Sequence, residues 1–326
     1  LSFQGLELNL DGAKLVTDGK INLSKQMLSD INFSLEKPSF DLIFAALPHD
    51  ISLMMAEYES LGQIEFRGNI KGPLVGEKLP NFYASYTCKN GSILNKSTNK
   101  KIDQINFNLE LQKDDELENI HLTEFHARTE KGEVSAFFEL DDFERPYYSL
   151  KFNTALDLSF LPQFAGDFNG IKGLDGQFSL STSLEDSLIF DDPKQMINGL
   201  INNMSFHLKC KNLHIPNLEE YNDHEIDAEI HLEKNRLSVD NLSLHMKHSN
   251  ISVSGNLDSI YQLIHASNPS IKSKIHIHSD KISINDWFPE LTNEEVSNFD
   301  ADLIISSTLS DLTSQGDLPK GAIGIK

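Results

Sequence analysis

The sequence is poor in cysteine, tryptophan and basic residues: two Cys, one Trp, and 28 Lys and Arg against 49 Asp and Glu in 326 residues. Two cysteines cannot build a disulfide scaffold or a four-cysteine zinc site. The shortage of Lys and Arg leaves a formal net charge of −21, which repels a phosphate backbone, so nucleic acid is not an expected partner. Long apolar runs are also missing. The longest, Leu42 to Leu47, falls far short of the roughly 18 to 20 residues of a membrane helix. There is no initiator Met and no charged-then-apolar leader, so any export signal or anchor is expected outside this segment. No Gly-x-Ser-x-Gly elbow, phosphate loop or His-Glu-x-x-His helix occurs, and neither an enzyme nor a cofactor is expected.

What the chain has in abundance is alternation of period two. Ile64, Phe66 and Ile70 are interleaved with Gln63, Glu65, Arg67 and Asn69, and Ile105, Phe107, Leu109 and Leu111 with Gln104, Asn106, Asn108 and Glu110. The same pattern runs through Met204, Phe206, Leu208 and Cys210, through Ile226, Ala228, Ile230 and Leu232, and through Leu242, Leu244 and Met246. Such segments predict strands with one wet face, in an antiparallel sheet. Helical patterns are few and short, at 48–60, 193–203, 258–265 and 289–297, and are expected as connectors.

An internal repeat of about 120 residues organises the chain. Cys88-Lys89-Asn90 recurs as Cys210-Lys211-Asn212. Around it, Ile102-Asp103 corresponds to Ile226-Asp227, Asn119-Ile120 to Asn241-Leu242, and Gly132 to Gly255. Leu6, Leu8 and Gly19 continue the register before Leu242, Leu244 and Gly255. Each copy closes on an apolar knot ending in Pro48, Pro162 or Pro289. The expected organisation is a partial repeat over 1–61, full repeats over 62–175 and 176–299, and the start of another over 300–326, with about six strands per full copy. The half-units at both ends predict that the natural protein continues in both directions.

A row of Ile, Leu, Phe and Val on each strand must be covered, because exposed apolar surface costs about 25 cal/mol per Å². With no long amphipathic helix available, the sheet either stacks as a sandwich or curls into a trough that an apolar ligand helps to fill. Repeats that start and stop mid-unit favour one continuing sheet. The expected fold is therefore all-β: an elongated, curled antiparallel sheet with an open hydrophobic groove and a few short helices at ends and connections. Its expected lining is Ile64, Phe66, Ile105, Phe107, Leu109, Leu122, Phe152, Leu156, Phe178, Leu180, Phe206, Leu208, Ile230, Leu244, Ile275 and Ile277. The competing reading of the same residues is ordinary core, in a structural β-scaffold or an adhesin-like sandwich array without cargo.

The stretch from Leu150 through Leu156, Leu158, Leu161 and Pro162, followed by Gly166, Gly170, Gly173, Gly176 and the strand Gln177 to Ser181, resembles the recurring unit boundary of the AsmA-like and TamB-related proteins of Gram-negative envelopes. Gly68 to Leu74 resembles another recurrent phrase of that family. The resemblance implies a periplasmic, inner-membrane-anchored protein of the repeating β-groove type. It would carry phospholipid or other acyl-chain lipid between inner and outer membrane, with envelope membrane proteins as further partners and the anchor outside this chain.

Three other features receive plainer readings. His276 and His278 fall on the face opposite Ile275 and Ile277, where solvated histidine is the default, so no metal ligand is assigned. Asp114-Asp115, Asp141-Asp142 and Asp191-Asp192 read as solvated turns, since no Asp-x-Asp-x-Asp-Gly loop accompanies them. Cys88 and Cys210, at equivalent positions one repeat apart, are expected to be free, buried thiols.

Overall fold

The computed structural model describes residues 1–10, 13–23, 25, 27–36, 40, 57–75, 80–115, 117–143, 145–165, 173–187, 199, 201–215, 224–260, 262, 270–283, 286, 295–308 and 321–325. Nearly all of these lie in antiparallel strands. The chain divides into two compact units, Leu1–Phe152 with Gln163–Gly166, and Asn153–Pro162 with Asp167–Lys326. The division falls inside a strand, not at the 175/176 boundary that the repeat suggests.

The first unit holds β1 (Ser2–Leu10), β2 (Ala13–Asn22), β3 (Leu28–Glu36), β4 (Tyr58–Pro73), β5 (Asn81–Asn95), β6 (Lys100–Lys113), β7 (Glu118–Thr129), β8 (Gly132–Asp141) and the opening residues of β9 (Tyr147–Asp157). From β1 to β8 each strand pairs antiparallel with the next in sequence. The second unit holds the end of β9, then β10 (Asp175–Ser187), β11 (Met204–His214), β12 (Glu225–Glu233), β13 (Arg236–His245), β14 (Asn250–Asp258), β15 (Ser270–Ser283), β16 (Glu295–Thr308) and β17 (Gly321–Ile325). From β10 to β17 the order again follows the sequence. A short helix, α1 (Phe160–Ala165), follows β9. The twelve strands predicted for the two full copies all form, with ends shifted by a few residues. The predicted helices at 48–60, 193–203, 258–265 and 289–297 lie largely outside the described residues, as do Pro48, Pro289 and Asp191-Asp192.

The repeat is visible in backbone detail. Both β5–β6 and β11–β12 carry an irregularity just after the cysteine, between Cys88 and Gly91 and between Cys210 and Leu213. Asn90 and Asn212 take positive φ there, 52° and 50°. In each case a side chain on the next strand accepts the freed amide: Asn90 N–H donates to Asn106 Oδ1 at 2.9 Å and Asn212 N–H to Asp227 Oδ1 at 2.7 Å. Gly19 and Gly255 likewise share a role, since each faces an isoleucine, Ile31 or Ile275, whose Cα would crowd an added Cβ at 2.9 and 3.0 Å. Gly132 does not. It opens β8 opposite Thr129, beside a two-residue turn, so its proposed equivalence to Gly255, which lies within β14, is replaced by a hairpin role.

In the first unit the tightest packing joins Phe40, Ile64, Cys88, Ile105 and Ala127, with Tyr86, Ile93, Ile102, Phe107 and Phe125 against them. Gln163–Ala165, the second half of α1, belong to this unit. The Phe164 carbonyl accepts from Nδ2 of buried Asn95 at 2.7 Å, and its ring lies 5.3 Å from that of Tyr58.

Candidate functional site

Residues directly opposite one another in paired strands project to the same face, so the register turns single-strand alternation into cross-strand rows. In the first unit one row runs Leu8, Leu15, Leu35, Phe66, Tyr86, Leu109, Leu122, Phe138, one residue from each of eight strands. In the second unit a row runs Leu180, Leu208, Ile230, Val239, Gly255, Ile275, Leu303, and a parallel one Phe178, Cys210, Ala228, Leu242, Val253, Ile277, Ala301. The opposite face is polar. Ser181, His207, His231, Ser238 and Asn256 form one of its rows, and Ser179, Lys209, Glu229 and Asn241 another.

The apolar rows are half-buried for most of their length. Leu8, at the edge of its row, is 47% exposed. Among the described residues, no second sheet and no helix of more than six residues lies over them. Full burial of such a side chain is worth about 1.5–3 kcal/mol, so each half-buried one leaves from about 0.1 to at most about 1 kcal/mol to be gained by a further apolar contact.

The sixteen predicted lining residues separate on this criterion. Ile64 and Ile105, at 2% and 5% exposure, are sealed in the packed cluster beneath Phe40 and offer no surface to a ligand. The other fourteen, Phe66, Phe107, Leu109, Leu122, Phe152, Leu156, Phe178, Leu180, Phe206, Leu208, Ile230, Leu244, Ile275 and Ile277, are half-buried. Phe66, Leu109 and Leu122 share the first unit's long row. Leu180, Leu208, Ile230 and Ile275 share the second unit's, and Phe178 and Ile277 lie in the row beside it.

Sequence patterning alone misses an aromatic chain across β3 to β7. Phe33 lies 5.4 Å from Phe66, Phe66 6.2 Å from Tyr86, Tyr86 5.3 Å from Phe107 and Phe107 6.4 Å from Phe125, ring centre to ring centre. Tyr86 shares parity with Cys88, a signal the sequence did carry. Phe125 was hidden because Glu124 takes φ 57° in a register shift between Leu122 and Phe125, which breaks counting by twos. The Tyr86 hydroxyl is buried with no hydrogen-bond partner among the described residues, and burial together with nearby Cys88 pushes its pKa up.

Gly255 opens a gap in the second unit's row. Beside it lies an apolar recess of about 210 Å³ bounded by Leu237, Val239, Val253, Leu257 and Ile275. That is smaller than the roughly 300–1,000 Å³ of a pocket for a whole drug-sized ligand, and it suits a segment of a longer chain. A separate polar cavity of about 760 Å³ is lined by His214, His224, His245, Lys211, Asp157 and Glu225, among others. His224 is 2% exposed, and neither ring nitrogen has a partner among the described residues.

His276 and His278 lie on the wet face, each about 45% exposed at the side chain, and pair with acids: His276 Nδ1 lies 2.9 Å from Asp302 and His278 Nε2 3.2 Å from Asp280. Both cysteines are free; Cys88 is buried, but Cys210 is only half-buried. No described helix is long and apolar enough to cross a membrane. No family model, curated protein or solved structure matches the chain.

Proposed function

We propose that this chain binds the acyl chains of phospholipid or a similar lipid along the apolar face of its sheet. In this reading it is the periplasmic part of an AsmA-like protein, anchored in the inner membrane outside this segment, and it helps move phospholipid between inner and outer membrane. The observation that carries the reading is the set of apolar rows across successive strands, half-open to solvent and backed by a polar face. Acyl chains lie along those rows while headgroups stay in water. Burial of each methylene contributes about 0.8 kcal/mol, and no bond is made or broken. The recess at Gly255 supports the same reading, because its walls are apolar and its size suits part of a chain.

The discriminating experiment is native mass spectrometry of the purified protein for co-purifying lipid, alongside variants Leu109→Asp and Leu208→Asp. Each places a carboxylate in a row. The expected result is bound lipid in the parent and clear loss in both variants while their circular dichroism is unchanged. A protein free of lipid even after incubation with phospholipid vesicles, or variants that retain lipid fully, would leave a structural scaffold as the better reading.

A further inference from the structure

We propose that His207, Glu229 and His231, on the polar face of the second unit, form a binding site for a divalent transition-metal ion of the Zn²⁺ class. His207 on β11 and His231 on β12 are direct cross-strand neighbours, and Glu229 precedes His231 by two residues, so all three side chains project the same way. The imidazole rings stack with centres 3.8 Å apart. His207 Nε2 lies 3.0 Å and His231 Nε2 3.8 Å from Glu229 Oε1, and the three atoms all fall within 4.8 Å of one another. A tetrahedral ion holding ligands at about 2.0–2.2 Å sets them roughly 3.3–3.6 Å apart, which the two measured separations bracket. Asp240 Oδ2 lies 2.8 Å from His231 Nε2 and competes with an ion for that nitrogen.

The donor set selects the metal. Two imidazoles with a carboxylate suit zinc and its neighbours, whereas Mg²⁺ and Ca²⁺ favour all-oxygen sites. The side chains are each about one third exposed, so an ion reaches them from solvent, and a net charge of −21 favours cations near the surface. The Lys209 ammonium already sits 2.6 Å from Glu229 Oε1. It competes with a metal ion for the same carboxylate oxygen. A bound ion would clip β11 to β12 directly behind Leu208 and Ile230, which pair on the apolar side. The inference does not depend on lipid binding.

The test is isothermal titration of the metal-stripped full chain with Zn²⁺ in a non-chelating buffer at pH 7.5. One saturable site is expected, weakened at least tenfold in His207→Gln and in His231→Gln and unchanged in His276→Gln. Lys209→Ala is expected to bind more tightly than the parent, because it removes the competing ammonium; a lysine that merely supported the local structure would give no gain. Glu229→Gln supplies the same tenfold test if either histidine variant loses its native circular dichroism. Absence of saturable binding in the parent, equal affinity in the histidine variants, loss on His276→Gln, or weakening on Lys209→Ala would each overturn the site.

Discussion

The ring of Phe33 lies over Gly68, its partner across the β3–β4 ladder. A Cβ at Gly68 would stand 2.6 Å from Phe33 Cε2 and 2.7 Å from the Tyr83 backbone carbonyl. Phe33 thus covers the site of the missing side chain and passes its ring on to Phe66. The glycine is part of the aromatic chain although it contributes no atoms to it.

Gly68→Ala is accordingly expected to destabilise the protein by about 1–3 kcal/mol, the usual cost of overpacking. Moving the Phe33 ring relieves only part of the clash, because the Tyr83 carbonyl belongs to the backbone. A lower urea midpoint with an unchanged slope would be the signature, and an unchanged midpoint would refute the account.

Tyr86→Phe is expected to act in the opposite direction. The hydroxyl is buried among Phe66, Phe107 and Cys88 and has no partner among the described residues. A buried, unsatisfied polar group costs roughly 1–3 kcal/mol, so its removal should raise stability by about 1 kcal/mol. Urea denaturation of the lipid-free variant beside the parent measures this. Destabilisation would mean that the hydroxyl has a partner in solution.

The period-two pattern made the strands legible because one face of each is apolar and the other polar, as in Ile105 to Leu111. Asn90 and Asn212, which the cysteine tripeptide aligns, share a left-handed backbone angle. Features that depend on a neighbouring strand were not legible. Ile64 and Phe66 have the same pattern in sequence, yet Phe40 and Ala127 pack around Ile64 and leave Phe66 half-open. The bulge at Glu124 moved Phe125 into the aromatic chain, and the recess beside Gly255 depends on Val239 and Ile275 of the neighbouring strands. The His207–His231 pair was likewise set by register, since 24 residues separate the two in sequence.

If the Gly255 recess seats part of an acyl chain, filling it should lower occupancy without loosening the fold. Val239→Phe extends one wall into space that is now empty. Lipid recovered per protein is expected to fall while the thermal midpoint holds or rises. Undiminished lipid would remove the recess from the binding surface and leave the rows to carry it.

Accessibility of the two thiols should differ. Cys88 is 1% exposed and donates through Sγ to the Ile105 carbonyl at 3.3 Å, whereas Cys210 is half-buried. Burial raises both thiol pKa values, so neither is a ready thiolate at neutral pH and access decides the order. A thiol reagent at pH 8 should modify Cys210 first and reach Cys88 only after denaturant is added. Modification of Cys88 at the faster rate would contradict the packed cluster around it.

A pH effect follows from Asp286, whose side chain is 7% exposed. Its Oδ2 accepts from the Ser249 hydroxyl at 2.6 Å and from the His248 amide at 3.0 Å, while Oδ1 lies 3.0 Å from His248 Nδ1. Burial alone would raise the pKa of this carboxyl, but the hydrogen bonds outweigh it, and the pKa lies below the ordinary value. A depressed folded-state pKa adds stability that is fully present above the unfolded value of about 3.9 and is lost as pH falls through the folded one. Asp286→Asn cannot titrate and loses acceptor strength toward Ser249 and His248. It should therefore be less stable than the parent at pH 7, by about 1–3 kcal/mol, and the gap should narrow as pH drops below about 4. Urea midpoints of both proteins between pH 3 and 7 test this, and a gap that stays constant across the range would show that the carboxylate charge contributes nothing to the clasp between Ser249 and Asp286.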